Sequence, residues 1–329
     1  MNYQEFLKSK RFLIQASGFK IDDVNPLLFD FQKDIVIWAL KKGKAAIFAG
    51  TGLGKTLMQL EWAKHVCEHT NRSVLILAPL AVSQQTVREG TKLNLNVTLC
   101  RTQKDVNPGI NITNYEMMHH FDEHQFVGIV LDESSILKSF DSKTKEKILI
   151  KFRDCIYKLA CTATPAPNDH MELGNHAEFL GVMSRTEMLS TFFVHDSGET
   201  AVWRLKKHAK IDFWSWVSSW AVMLRNPVDL GYDNSKFDLP KLNIVEIVVD
   251  KSGYVVKEAK TLNDRRAVRK NSIDERVLYA SKIANKYDKS CLIWCNLNYE
   301  SEKLTKAINN AIEIKGAHDN EYKSKSMLN

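Results

Sequence analysis

A short apolar run, Ala45–Ala49, leads directly into Gly50-Thr51-Gly52-Leu53-Gly54-Lys55-Thr56, and nothing else in the sequence constrains the fold so tightly. With Ala49 in first place, the stretch fits the phosphate-loop pattern A/G-x-x-x-x-G-K-S/T. Glycines let the backbone wrap so that successive N–H groups face phosphate oxygens. The helix that follows then turns its positive end toward the same oxygens. In this pattern Thr51, Gly52, Leu53 and Gly54 form the cradle, Lys55 reaches the outer phosphates, and the Thr56 hydroxyl holds Mg2+. Ordinary residue frequencies generate such a pattern on the order of 0.02 times in a chain this long. The alternative is a glycine-rich turn with an incidental lysine. The strand before the loop and the helical spacing after it argue against that.

The rest of the first half supplies the setting such a loop needs. Val74–Ala78, Val97–Cys100, Ile110–Thr113, Val127–Leu131 and Ile156–Ala160 read as strands, short and apolar on both faces. Thr56–Glu68 and Ala81–Glu89 show helical spacing between them. Strands alternating with helices predict an α/β fold with a doubly wound parallel sheet. Val127–Leu131 ends in Asp132-Glu133, at the ligand-binding edge of such a sheet. Asp132 is expected to contact Mg2+ and Glu133 to polarise an attacking water, two solvated carboxylates being the alternative. Ile156–Ala160 leads to Thr162-Ala163-Thr164-Pro165, where Thr162 and Thr164 are placed to sense the γ-phosphate; a capped turn is the alternative.

The second half is different in texture. From Pro165 to about Leu239 the chain is rich in Trp, His, Met and Phe and has no clear strand alternation. We read 1–165 as an N-terminal lobe, 166–240 as a helical insertion and linker, and 241–329 as a second α/β region. In that region Ile244–Val249 and Cys291–Cys295 read as strands, Asp274–Lys286 and Glu300–Asn309 as helices, and Tyr322–Asn329 as a frayed end. Trp216 and Trp220 share a helical face, with Trp214 nearby, and core packing is preferred over base stacking.

Composition narrows the class. With 44% hydrophobic and 26% charged residues, the sequence excludes a disordered or collagen-like chain. No apolar run approaches the ~18 residues of a membrane span, and Met1–Lys10 lacks a secretory core. Six scattered cysteines read as reduced thiols, with Cys291 and Cys295 buried in a strand, so a cytoplasmic location is expected. His119, His120 and His124, with Asp122 and Glu123, match no metal-ligand spacing and read as surface residues. The formal charge of +7 permits an anionic partner. Arg204–Lys210 and Arg265–Lys270 are candidate phosphate contacts, solvated helix faces being the alternative.

These pieces, in this order, resemble superfamily 2 helicases and translocases, from about Phe29 to Leu173. Phe31-Gln32 precedes Lys55 by 23 residues (55 minus 32), where the family carries a glutamine that reads the adenine edge. Ala78-Pro79 resembles motif Ia, and Ile112-Thr113-Asn114-Tyr115-Glu116 the motif Ib region. Asp132-Glu133-Ser134-Ser135 stands in the DEAD/DEAH position, and Thr162-Ala163-Thr164-Pro165 resembles motif III. Leu137-Lys138, Ser142-Lys143, Asn168 and Glu172-Leu173 are similar to the Swi/Snf-like branch. Phe31–Val36, the Trp203–His208 stretch and Asp229-Leu230-Gly231-Tyr232 look like compact bacteriophage versions. The resemblance implies two RecA-like lobes, ATP and Mg2+ as cofactors, and ATP-driven movement along nucleic acid, duplex DNA foremost. It also implies that Thr113, Asn114, Tyr115 and Lys138 hold phosphates rather than bases, so that binding is sequence-tolerant and salt-dependent.

Two departures qualify what is expected. Ser134 and Ser135 replace the usual Ala and His or Asp, so coupling to motif III needs another route, for which a hydroxyl is a candidate. No motif V or motif VI follows Asn296, where the cations are all lysines. Motif VI carries the arginine finger, which contributes ~10³–10⁵ in phosphoryl-transfer rate. The second RecA-like lobe is therefore expected to be incomplete. A split or truncated module that binds ATP and DNA but turns over slowly, with a second polypeptide completing the lobe, stands beside the enzyme reading. Another P-loop machine, a AAA+ ATPase or a kinase, fits less well because of Gln32 and Thr162–Pro165.

Overall fold

The computed structural model describes residues 14–138, 143–196, 199–237, 240–249, 261–287 and 289–326. The chain divides into two units, Met1–Leu239 and Pro240–Asn329. Among the described residues the first begins with helix α1 (Asp30–Lys42) and continues through β1 (Lys44–Ala49), α2 (Lys55–Thr70), β2 (Ser73–Ala78), α3 (Leu80–Lys92) and β3 (Val97–Leu99). Next come β4 (Ile110–Asn114), β5 (Phe126–Asp132), α4 (Lys143–Lys151) and β6 (Tyr157–Thr162). Each strand expected here forms, within two residues of its expected bounds.

Strand β1 explains the layering. Its side chains alternate between faces with period two. Ala46 and Phe48 enter one core, with Leu75, Leu77, Ile129 and Leu131. Ala45, Ile47 and Ala49 enter the other, with Val74, Ile76, Val130 and Leu159. A strand apolar on both faces is stable only with helices on both sides, which is the doubly wound α/β arrangement. The sheet order is β3-β4-β2-β5-β6-β1-β9, where β9 spans Ala221–Leu224, and all its pairings are parallel.

The stretch 166–240 is more than a helical insertion. It contains α5 (Leu173–Leu180), α6 (Arg185–Phe192), an antiparallel hairpin of β7 (Phe193–Asp196) and β8 (Glu199–Leu205), α7 (Lys210–Ser218) and β9 (Ala221–Leu224). Strand β9 pairs with β1, Ala46 opposite Ala221 and Ala49 opposite Leu224, and becomes the seventh strand of the first sheet. Four residues are too few to reveal a period, and the partner lies far back in the chain. Trp216 and Trp220 are buried with ring centroids 5.3 Å apart, so they pack the core as expected.

The second unit contains α8 (Leu262–Asn271), α9 (Ile273–Lys286), α10 (Asn298–Ala307) and α11 (Asn320–Ser326). Its buried core consists of Ile273, Val277 and Leu304. Arg276 pairs with Glu300 at 2.5 Å, and Lys303 pairs with Asp274. The two strands expected here do not form among the described residues. The runs 244–249 and 291–295 have no sheet partner, and Ile244 and Trp294 are 83% and 87% exposed. A strand needs a neighbour to satisfy its backbone, and apolar content alone does not supply one. Cys291 is accordingly exposed rather than buried, and all six cysteines are free thiols. Residues Tyr322–Ser326, expected to fray, belong to α11. No helix among the described residues is long and apolar enough to cross a membrane. Ser142 of the Ser-Lys pair and the Met1–Lys10 segment lie outside the described residues.

Candidate nucleotide site

The carboxyl ends of β1, β6 and β5 stand side by side, because β6 lies between the other two. The phosphate loop, Thr162 and Asp132 therefore emerge at one edge of the sheet, the position where open α/β sheets bind ligands. Register fixes their relative height: Phe48 lies opposite Thr162, and Asp132 opposite Cys161.

The loop has the backbone its glycines allow. Gly52 and Gly54 adopt φ +85° and +74°, which a side chain would resist. A Cβ at Gly52 would meet nothing within 4 Å, so the cradle is open there. At Gly50 and Gly54 the opposite holds. A Cβ on Gly50 would lie 2.7 Å from the Arg225 carbonyl oxygen, and one on Gly54 would lie 2.4 Å from Gln32 Nε2. Helix α2 begins at Lys55 with no side-chain cap and no acid in its first turn. That leaves its leading N–H groups and positive end for an anion. The Lys55 ammonium donates to the carbonyl oxygens of Ala49 and Gly50 at 3.0 and 3.3 Å.

Gln32 sits behind this loop and is buried. Its Nε2 donates to the Leu53 carbonyl at 2.9 Å, and its Oε1 accepts from Phe29 N at 3.0 Å. Both ends of the amide expected to read adenine are thus bonded within the chain, joining α1 to the loop.

Asp132 is also buried, and its Oδ1 accepts from Gln59 Nε2 at 2.7 Å and from Glu133 N at 3.1 Å. Burial raises its carboxyl above the usual range, and the neighbouring Glu133 adds to this, against the opposing pull of Gln59 and Lys55. Glu133 occupies the left-handed region at φ +50°, which is strained for a residue with a side chain. Thr162 Oγ1 donates to Glu133 Oε2 at 3.3 Å and accepts from Thr164 N at 3.1 Å. Of the expected motif III threonines, Thr162 thus meets the expected motif II glutamate directly, and Thr164 bonds to Thr162.

The turn after Glu133 is clamped by α5. Ser134 Oγ lies 3.1 Å from His176 Nε2, both residues fully buried, and the His176 ring packs edge-on to Phe48 of β1. Asn175 Nδ2 donates to the carbonyls of Leu137 and Lys138 at 2.8 and 3.2 Å, while Lys145 Nζ donates to Asn175 Oδ1 at 3.1 Å. The hydroxyl that replaces the usual side chain at 134 therefore has a partner, on the helix that follows motif III. Asn168 and Glu172 bond at 2.7 Å, fixing the entry to that helix.

Sequence reasoning did not single out Gln59, Asn175, His176 or Arg225. Gln59 had a legible signal, since it lies one turn after Lys55 on the same helix face. The others depend on long-range pairings. Of the expected nucleic-acid residues, Thr113, Asn114 and Tyr115 are buried. The Tyr115 hydroxyl donates to the Asp132 carbonyl at 2.6 Å, and Asn114 Oδ1 caps Met117 N at 2.9 Å. Lys138 is exposed.

Buried polar atoms here without a partner among the described residues include Gln59 Oε1 and Thr113 Oγ1. The first belongs to the amide that holds Asp132. An oxygen donor set of Asp132, the Thr56 hydroxyl and this unpaired amide oxygen fits a hard divalent cation such as Mg2+.

The fold is similar to that of solved structures. A SWI2/SNF2 ATPase core from Sulfolobus solfataricus in complex with dsDNA matches at 17% identity and TM-score 0.53, over 88% of this chain and 60% of that one. The S. solfataricus SWI2/SNF2 ATPase core domain alone matches at 16% identity and TM-score 0.50, over 97% of this chain and 60% of that one. The chain thus spans 60% of the length of each. No curated protein matches it. The family model described as the SNF2-related domain matches residues 31–208, which is 178 of the 329 residues. That span holds the phosphate loop, the Asp132-Glu133 pair and the clamp on α5, and the chain belongs to the SNF2-related domain family.

Proposed function

We propose that this chain hydrolyses ATP and uses the cycle to move along nucleic acid, duplex DNA foremost. The observation that carries the reading is the hydrogen bond between Thr162 and Glu133 at the sheet edge shared with the phosphate loop. The loop N–H groups and Lys55 bind the phosphates. Thr56 and Asp132 hold Mg2+, which when bound neutralises charge on the phosphate oxygens. Glu133 accepts a proton from the attacking water at a carboxylate oxygen, and Thr162 orients that carboxylate. Loss of the γ-phosphate changes what Glu133 and Thr162 face, and the bond from Ser134 to His176 passes the change to α5. Gln32 braces the loop from behind, and reading an adenine edge would require its amide to exchange Leu53 O or Phe29 N.

Nucleic acid is the second substrate in this reading. Support comes from the family and from the similar S. solfataricus core, which is described in complex with dsDNA. In this reading the exposed Lys138 meets phosphates directly, whereas the buried Thr113, Asn114 and Tyr115 act by shaping the loop that does so.

A second reading is a module that binds ATP and DNA yet turns over slowly by itself. One assay separates the two: ATPase rate with and without duplex DNA, against Lys55→Ala as control. DNA-stimulated turnover that Lys55→Ala abolishes supports the enzyme. ATP binding without stimulated turnover supports the module.

A further inference from the structure

A second concave surface lies away from the phosphate loop on the first unit. The end of β8 and the turn after it fold against the His170 turn that opens α5, enclosing a cleft of roughly 380 Å3. Its lining includes Trp203, Arg204, Lys206, Lys207, Lys210 and His170. Four of these are cations from one seven-residue stretch.

The four cations are not equivalent. Lys206 Nζ donates to the carbonyls of Ser190 and Thr191 at 2.9 and 2.8 Å, and its backbone N donates to the Phe192 carbonyl at 2.9 Å. It therefore satisfies the carboxyl end of α6 and latches the hairpin in place. Arg204, Lys207 and Lys210 remain exposed, spaced three residues apart, and none makes an ion pair among the described residues. The acid in the lining is Asp169, whose Oδ1 accepts from Met171 N at 2.8 Å as a helix cap. Trp203 supplies an aromatic wall, its ring held against His195 at 3.6 Å.

We propose that this cleft is a nucleic-acid backbone site, in which Arg204, Lys207 and Lys210 take successive phosphates beside the Trp203 face. The proposal rests on the nucleic-acid reading above. A cationic groove with aromatic walls is the arrangement that tracks a sugar-phosphate strand without reading its sequence. The other basic cluster makes a contrast. Arg265, Arg266, Arg269 and Lys270 lie on α8, a helix with no buried residue, and are exposed.

The test uses the full chain and fluorescence anisotropy with a labelled duplex and its labelled single strand, between about 50 and 200 mM salt. In Arg204→Glu/Lys207→Glu, affinity should fall at least tenfold at low salt. The slope of log affinity against log salt should flatten by about 1.8 on duplex, or about 1.4 on single strand, for two lost phosphate contacts. Titration with a fluorescent ATP analogue checks that the variant still folds. If it does not, Arg204→Gln/Lys207→Gln gives the same slope readout with less repulsion. Arg265→Glu/Arg269→Glu should leave the slope within half a unit of wild type. A cleft variant that binds ATP and keeps the wild-type slope overturns the site alone. A wild-type chain that binds neither nucleic acid overturns the site and the nucleic-acid reading together.

Discussion

The two units contain the same kind of apolar segment and treat it in opposite ways. In the first, all but the first residue of β1 are buried, split between two cores that α-helices cover. In the second, the runs 242–248 and 292–294 are richer than β1 in Leu, Ile, Val and Trp, yet Leu242, Ile244, Val245, Val248, Leu292 and Trp294 face solvent. Residue type is common to both, and neighbours make the difference. Strand preference amounts to fitting a pleated surface that something else covers. The consequence reaches function, because a loop holds its geometry only as well as the strand that ends in it. Every group of the candidate nucleotide site hangs from a covered strand or from a helix packed on one.

The largest expected effect breaks the comparison if it fails. Glu133→Gln should lower the ATPase kcat by about 10²–10⁴, with ATP affinity nearly unchanged. Steady-state turnover and equilibrium nucleotide binding measure the two. Wild-type turnover in this variant would mean that the chemistry does not belong to the first sheet's edge.

The second tests the packing that holds that edge. Trp220 is fully buried between Phe48 and Trp216. Trp220→Ala should destabilise the first unit by about 3–5 kcal/mol, read by chemical denaturation. A cost under about 1 kcal/mol would mean that this core is loosely covered, and the contrast with the second unit would shrink.

The third concerns the clamp. Burial pushes the His176 ring down to about 4, from an ordinary value of 6.5. Between those two values the unfolded chain binds a proton that the folded chain refuses. The stability this supplies is fully present above pH 6.5 and is lost as pH falls toward 4, on the order of 3 kcal/mol. His176→Gln, which has no such titration, should flatten the pH dependence of stability across that window. It should also lower kcat about tenfold with KM unchanged, because a displaced Ser134 turn moves Glu133. An unchanged kcat beside a flattened stability profile would leave His176 a packing residue only.

Legibility followed the same division. The phosphate loop, Asp132-Glu133 and the motif III threonines could be read because each is a local pattern at a strand end. Strand β9 could not, since four residues show no period and the pairing spans most of the unit. The clamp of Asn175 and His176 on residues 134–138 was hidden for a similar reason: a buried Asn and His on an amphipathic helix look ordinary until their partners are known. The resemblance gives Thr113 and Tyr115 phosphate-holding roles, while the pairing of β4 with β2 buries Thr113 and the core that includes Ile129 and Leu131 buries Tyr115. In the second unit local pattern misleads, because apolar runs there predict strands that no neighbour completes among the described residues.

The smallest expected effect sharpens that last point. Trp294 and Trp220 are the same residue type at opposite extremes of exposure. A tryptophan in a core loses several kcal/mol when truncated, whereas a solvated one has little packing to lose. Trp294→Ser should therefore change stability by no more than about 0.5 kcal/mol by chemical denaturation, and should leave nucleotide binding as it is. Exposed apolar residues favour self-association, so the variant should also raise the concentration at which light scattering first increases. A loss above about 2 kcal/mol would place Trp294 in a packed interior. The run 291–295 would then be a covered strand, and the two units would differ in extent rather than in kind.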